Sequence, residues 1–189
     1  MGQFFYRSFA VLLLAHLVLI LSSFSDGFCE ENLRPRHEYG LSLLGGGNQE
    51  DGLDIRYYAA YPRWGWTFLE RHEFELEGNL GHYRFDATDM TSFGLQGLFT
   101  YEFYRFKRGK AFIAAGGGLI YLDLDERPRV GDSSAVALGQ AGFGLKFGVG
   151  SKKALRLEYR WQHVSDPFDI DDHGWNYHCF VLGISWLRY

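Results

Sequence analysis

His163 and Ser165 stand two residues apart in the stretch "LRLEYRWQHVSDPFD", Leu155 to Asp169. A serine hydroxyl is a weak nucleophile until a neighbouring base takes its proton. On an extended strand, residues i and i+2 share a face about 6–7 Å apart, a gap that an imidazole can bridge. A third group should then hold the ring, and the following loop and strand offer Asp166, Asp169, Asp171, Asp172 and Asn176. Backbone N–H groups of that loop could stabilise an oxyanion, although Pro167 has none to give. By itself H-x-S is a weak pattern, more often the mark of a strand-end serine beside an interfacial histidine.

The element that must carry this pair is legible. Leu155, Leu157, Tyr159 and Trp161 alternate with Arg156, Glu158, Arg160 and Gln162, which is a strand with one apolar and one polar face. His163 and Ser165 continue the apolar side. From about His37 onward the whole chain has this period of two. It predicts strands over Glu38–Gly45, Leu53–Tyr61, Glu73–Phe85, Ser92–Phe103, Ala111–Asp123, Ala135–Phe147, Ala154–Ser165 and Tyr177–Arg188. "GGGNQEDG", "PRWG", "DATDM", "KRGK", "DERPRVGDSS", "GVGSKK" and "DPFDIDDHG" read as the turns between them.

The chain has 189 residues, enough for one domain with a core, and is 18% aromatic with 24 glycines and 4 prolines. A net charge of -4 provides no basic field for nucleic acid. Residues 1–25 read as a signal peptide: Arg7, the apolar run Phe9–Leu21, then small residues at Ser23 and Ser25. Residues 26–189 are the expected barrel domain. A membrane anchor is the alternative for the leader, and Phe28 is too large for a lipidated Cys29. Cys29 and Cys179 are the only cysteines, and their spacing does not establish whether they pair. No zinc spacing is present, and neither metal nor cofactor is expected.

A soluble barrel buries its apolar faces, whereas a small transmembrane barrel turns them to lipid and its charges inward. The leader favours the second. So do aromatics near strand ends (Tyr57, Tyr61, Trp64, Trp66, Tyr101, Tyr104, Trp186, Tyr189), which read as an interfacial girdle. The expected fold is therefore all-β, an eight-stranded antiparallel transmembrane β-barrel of the outer-membrane type. Its even strand number puts both termini on the periplasmic side. His163 and Ser165 then face lipid at the outer end of the seventh strand, where an ester-bearing lipid head meets its acyl chains.

The segment "YRWQHVSDPFDIDDHGWNYHCFVLGISW" resembles the C-terminal signature of the PagL-type lipid A 3-O-deacylases, also called acyloxyacyl hydrolases. Tyr159, Arg160, His163, Ser165, Gly174, Leu182 and Gly183 fit, and "LEGNLG" and "AAGGGLIYLD" upstream are similar too. The resemblance implies an outer-membrane serine esterase that removes an ester-linked hydroxyacyl chain from lipid A, with Ser165 as nucleophile and His163 as base. Lipid A, or lipopolysaccharide, is the implied partner. Two positions depart. Asp166 stands where the family commonly has Asn, in the oxyanion region with Gly174. Asn176 stands near the family's acidic residue, so either Asn176 orients the ring or Asp171 or Asp172 substitutes. The alternative is a non-catalytic outer-membrane barrel with a structural or adhesive role. A homodimer through the lipid face is compatible with the pattern but not required by it. Gly45–Gly47 and Gly116–Gly118 read as sites of close packing, and His178 as interfacial.

Overall fold

The protein is described by a computed structural model over residues 36–50, 53–85, 88–123, 135–166 and 174–189. The leader 1–25, Cys29, Asp171 and Asp172 lie outside the described residues. Eight strands follow in order: β1 (His37–Glu50), β2 (Leu53–Leu69), β3 (His72–Phe85), β4 (Thr88–Phe106), β5 (Gly109–Asp123), β6 (Ala135–Val149), β7 (Lys153–Ser165) and β8 (Trp175–Arg188). Each pairs antiparallel with its neighbour in the chain, and β1 closes on β8 from His37↔Arg188 to Gly47↔His178. Closure leaves no sheet edge exposed, the condition for a sheet to cross a bilayer. Both ends of the closed sheet's chain, His37 and Arg188, lie at one end, called here the terminal end; β7 ends and β8 begins at the distal end.

The expected inversion of faces is present. Leu43, Leu80, Leu95, Phe99, Leu119, Phe143, Phe180 and Leu182 form an exposed apolar band. Trp64, Trp66, Tyr104, Trp186 and Tyr189 are exposed toward its terminal end, and Tyr58, Tyr121 and Trp161 toward its distal end. The charges point inward. Arg156 Nη1 lies 2.6 Å from Glu75 and Arg156 Nε 2.7 Å from Glu158. Arg160 reaches Glu77 at 2.7 Å and Glu158 at 2.9 Å. Arg63 meets Glu38 at 2.8 Å, and Lys146 meets Glu38 at 2.9 Å and Glu73 at 3.1 Å. Buried ions are tolerated only when paired and hydrogen-bonded in this way.

Three expectations are corrected. "PRWG" is not a turn: β2 continues through it to Leu69, with Pro62 on the outward, exposed side of the strand. Gly45–Gly47 lies within β1. Tyr57 and Tyr61 are no part of the girdle. They are buried with Ile55 and Ala59, so the apolar face of the distal half of β2 turns inward while Arg56 and Tyr58 turn outward. The reason is the composition of the lumen. Its charged network occupies the terminal half, and the remainder is filled by Tyr57, Tyr61, Tyr83 and Tyr177 and then Leu44, Met90, Leu122 and Leu138. Tyrosines can be packed there because their hydroxyls meet partners: Tyr83 and Tyr177 lie 2.7 Å apart, and Asn79 donates to Tyr57 at 2.9 Å. Cys179 is buried in the same interior, 3.7 Å from Gln162 Oε1.

Candidate active site on the outer face of the barrel

The β7–β8 register pairs His163 directly with Asn176. Directly opposed residues on antiparallel strands share a face, with Cβ atoms about 5 Å apart. His163 Nδ1 lies 2.9 Å from Asn176 Oδ1. Since the amide oxygen only accepts, Nδ1–H donates to it, and that tautomer leaves Nε2 as the basic nitrogen. The ring also stacks on Trp161, with centroids 6.1 Å apart and planes at 17°. Strand alternation places the ring and Ser165, the last residue of β7, on the same half-exposed outer face.

Gly174 completes the constellation. It has φ 56°, in the left-handed region, and a Cβ there would strike the Val164 carbonyl oxygen and come 3.0 Å from Ser165 Cβ. The backbone therefore passes directly against Ser165, an approach that a side chain would prevent. Asp166 is 6% exposed and continues the alternation onto the buried side. Its carboxylate is thus turned away from the face that holds His163 and Ser165. The fold brings together His163, Ser165, Asn176 and Gly174, and separates Asp166 from them. Asp171 and Asp172 lie outside the described residues. Among the described residues no group of His, Cys, Asp and Glu is placed to hold a metal.

Two features escaped the sequence reading. Tyr159 OH lies 2.6 Å from His178 Nδ1, one step further down the same outer face. More consequential is a row of glycines. The ladders align His163↔Gly139, Gly139↔Gly117 and Gly117↔Gly97, so three successive strands lack side chains beside the histidine. Ala141 and Ala115 flank the row on one side, and Ala137 flanks it beside Ser165. A Cβ on Gly139 would meet nothing, whereas one on Gly97 would lie 3.2 Å from the Phe74 ring. The result is a trough about 14 Å long, three strand spacings, closed by Phe74. Followed further, the same ladder passes Leu76 and Trp64 to reach Tyr39. The trough therefore slopes from His163 toward the middle of the apolar band. The spacing of Gly97, Gly117 and Gly139 in sequence conveys none of this, because it depends on three interstrand registers.

A closed antiparallel barrel with an apolar belt and a packed charged lumen defines a class: a β-barrel of the outer-membrane type. The family model for lipid A 3-O-deacylase (PagL) matches residues 51–185, and the chain belongs to that family. The outer membrane enzyme PagL, in its crystal structure, shares the fold at 20% identity, over 77% of this chain and 97% of that one, with a TM-score of 0.52. Neisserial surface protein A matches at 13% identity over 81% and 96% of the two chains, TM-score 0.58. Outer membrane protein H of P. aeruginosa, solved in DHPC micelles, matches at 15% over 80% and 98%, TM-score 0.56. At such identities these likenesses show the eight-stranded fold alone. No curated protein matches the chain by sequence.

Proposed function

We propose that this barrel is an outer-membrane serine esterase that removes the 3-O-linked hydroxyacyl chain of lipid A. Membership of the PagL family supports the substrate class. The observation that carries the reading is the 2.9 Å contact of His163 with Asn176, beside Ser165, on the face that meets lipid. Ser165 Oγ attacks the ester carbonyl and His163 Nε2 takes its proton. The imidazolium returns that proton to the departing sugar oxygen, leaving an acyl-enzyme that water hydrolyses by the same steps in reverse order. Asn176 holds the ring in the required tautomer. The backbone at Gly174, packed against Ser165, is the region for the developing oxyanion. The acyl chain lies in the glycine trough, directed toward the hydrocarbon.

For this chemistry the distal end faces the outer leaflet and the termini face the periplasm, following export by the leader at 1–25. The test is lipid mass spectrometry on membranes whose lipid A carries the 3-O-acyl chain. Expression of the protein removes one hydroxyacyl group per molecule. Ser165→Ala and His163→Ala each abolish that loss, while heat-dependent gel mobility shows both barrels folded. A folded, inserted wild-type barrel that leaves lipid A and simple acyl esters intact would replace the enzyme reading with a non-catalytic barrel.

A further inference from the structure

At the terminal end, β7, β8 and β1 present three successive rows on the outer face, each set by register. Nearest the middle of the band, Ile184 is paired with Leu155 on one side and Leu41 on the other. In the next row Trp186 lies between Lys153 and Tyr39. At the rim Arg188 faces His37. Aliphatic, then aromatic, then cationic is the order in which a bilayer passes from acyl chains to head groups. A groove of about 700 Å³ opens along these rows, lined by Tyr39, Lys152, Trp186, Leu187, Arg188 and Tyr189. That volume is in the range of sites for small ligands. Backbone carbonyls of the β6–β7 turn fix its walls: Leu187 N donates to Lys152 O at 2.9 Å, and Tyr189 OH to Ser151 O at 3.1 Å.

The charge around this groove is unbalanced. Lys152, Lys153 and Arg188 are all exposed, and among the described residues none of them has an acidic partner. Arg188 lies over the Tyr39 ring, 5.6 Å from its centroid, which holds the guanidinium at the mouth of the groove. The described acids of this end are engaged elsewhere. Glu38 and Glu73 are buried against Lys146 at 2.9 and 3.1 Å, Glu102 is buried against Arg105 at 2.6 Å, and Glu70 lies in the turn after β2, two strands from β8. A terminal carboxylate on Tyr189 would offset one of the three cations and leave the mouth positive. We propose that the groove binds an anionic phospholipid of the leaflet at the terminal end, with its phosphodiester on Lys152, Lys153 and Arg188 and its acyl chains along Trp186, Ile184 and Leu41. A zwitterionic lipid brings its own ammonium to its phosphate, so unpaired protein cations favour a head with net negative charge. Depth agrees with this placement. His163 is ten residues beyond Lys153 on β7, about 33 Å along the strand and about 25 Å of depth at a 40° tilt, the height of the apolar band. The lipid is therefore in the leaflet opposite the candidate site, bound to the same two strands. It fixes the depth of β7 and β8, and the site stands whether or not the protein is an esterase.

The test uses the full chain, purified in a non-ionic detergent and titrated with phosphatidylglycerol, phosphatidylethanolamine of the same acyl chains, or glycerol 3-phosphate. Bound lipid is read by native mass spectrometry. Ser165→Ala serves as the background protein throughout, so that the probe stays intact. Phosphatidylglycerol binds at least about tenfold more tightly than phosphatidylethanolamine, and added salt narrows the difference. Lys152→Gln combined with Arg188→Gln removes the preference. Each single variant loses about threefold to fivefold, which keeps the test valid if the double variant folds poorly. Lys107→Gln, at the same end but in the turn between β4 and β5 across the barrel, preserves the preference. Equal binding of the two phospholipids, an unchanged preference in the Lys152 and Arg188 variants, an equal loss in Lys107→Gln, or glycerol 3-phosphate bound as tightly as the lipid would each overturn the proposal.

Discussion

Replacing Asn176 tests the candidate site at its most distinctive atom. Asn176→Ala removes the acceptor 2.9 Å from His163 Nδ1 and leaves the Trp161 stack to restrain the ring. A neutral hydrogen bond contributes about 0.5–1.5 kcal/mol, and somewhat more when the ring becomes charged in the transition state. The expected loss in kcat/KM is therefore about tenfold to thirtyfold, well short of the loss from Ser165→Ala. Asn176→Asp is the informative opposite. Aspartate has the same length, so a carboxylate oxygen replaces Oδ1 at the same distance, whereas glutamate adds a methylene and overshoots. A charge-assisted bond to the imidazolium is roughly twice as strong as the neutral one. The rate should rise by about tenfold. Initial rates of acyl release from lipid A in mixed micelles provide the readout. If Asn176→Ala retains full activity, or if Asn176→Asp leaves the rate unchanged, Asn176 does not hold the catalytic ring.

Other consequences concern the barrel and the trough. Leu157→Arg puts a charge on the outer face between Leu145 and Leu182 and should cost about 2–4 kcal/mol in a folding titration in lipid vesicles, if that site is near the midplane. Arg156→Met deletes the partner of both Glu75 and Glu158 in the lumen. Partial compensation from Arg63, Lys146 and Arg160 remains, so a loss of about 3 kcal/mol is expected in the same titration. Gly139→Leu should fold normally, because a Cβ there meets nothing, yet it fills the trough. Hydrolysis of long-chain esters should drop about tenfold or more while a short acyl ester is turned over as before, a difference of one to a few kcal/mol in the acyl pocket. Equal effects on both substrates would place the acyl chain elsewhere.

Much of the architecture is local in origin and so was readable in the chain. A period of two, turn residues at intervals and charged faces such as Glu73, Glu75, Glu77 specify strands, their approximate number and which face avoids lipid. His163 and Ser165 were legible for the same reason, since i and i+2 share a face in any strand. The distal half of β2 was misread because both of its faces carry apolar residues. Which face turns inward was settled by what the rest of the lumen needed, an aromatic filling above the ion network. Asn176 was one candidate beside several aspartates because loop and strand residues of the same stretch are equivalent until a register is chosen. The β7–β8 pairing chose it, at His163↔Asn176, and alternation sent Asp166 to the other side. Gly97, Gly117 and Gly139 are scattered along the sequence, and only Gly117, within Gly116–Gly118, reads as a packing glycine. They become one trough only when three ladders align them. Sequence determines what each strand can present to lipid or lumen, because side-chain direction is a local property of the backbone. Register between strands is a tertiary property, set by closure of the whole sheet, and it alone decides which residues meet across strands.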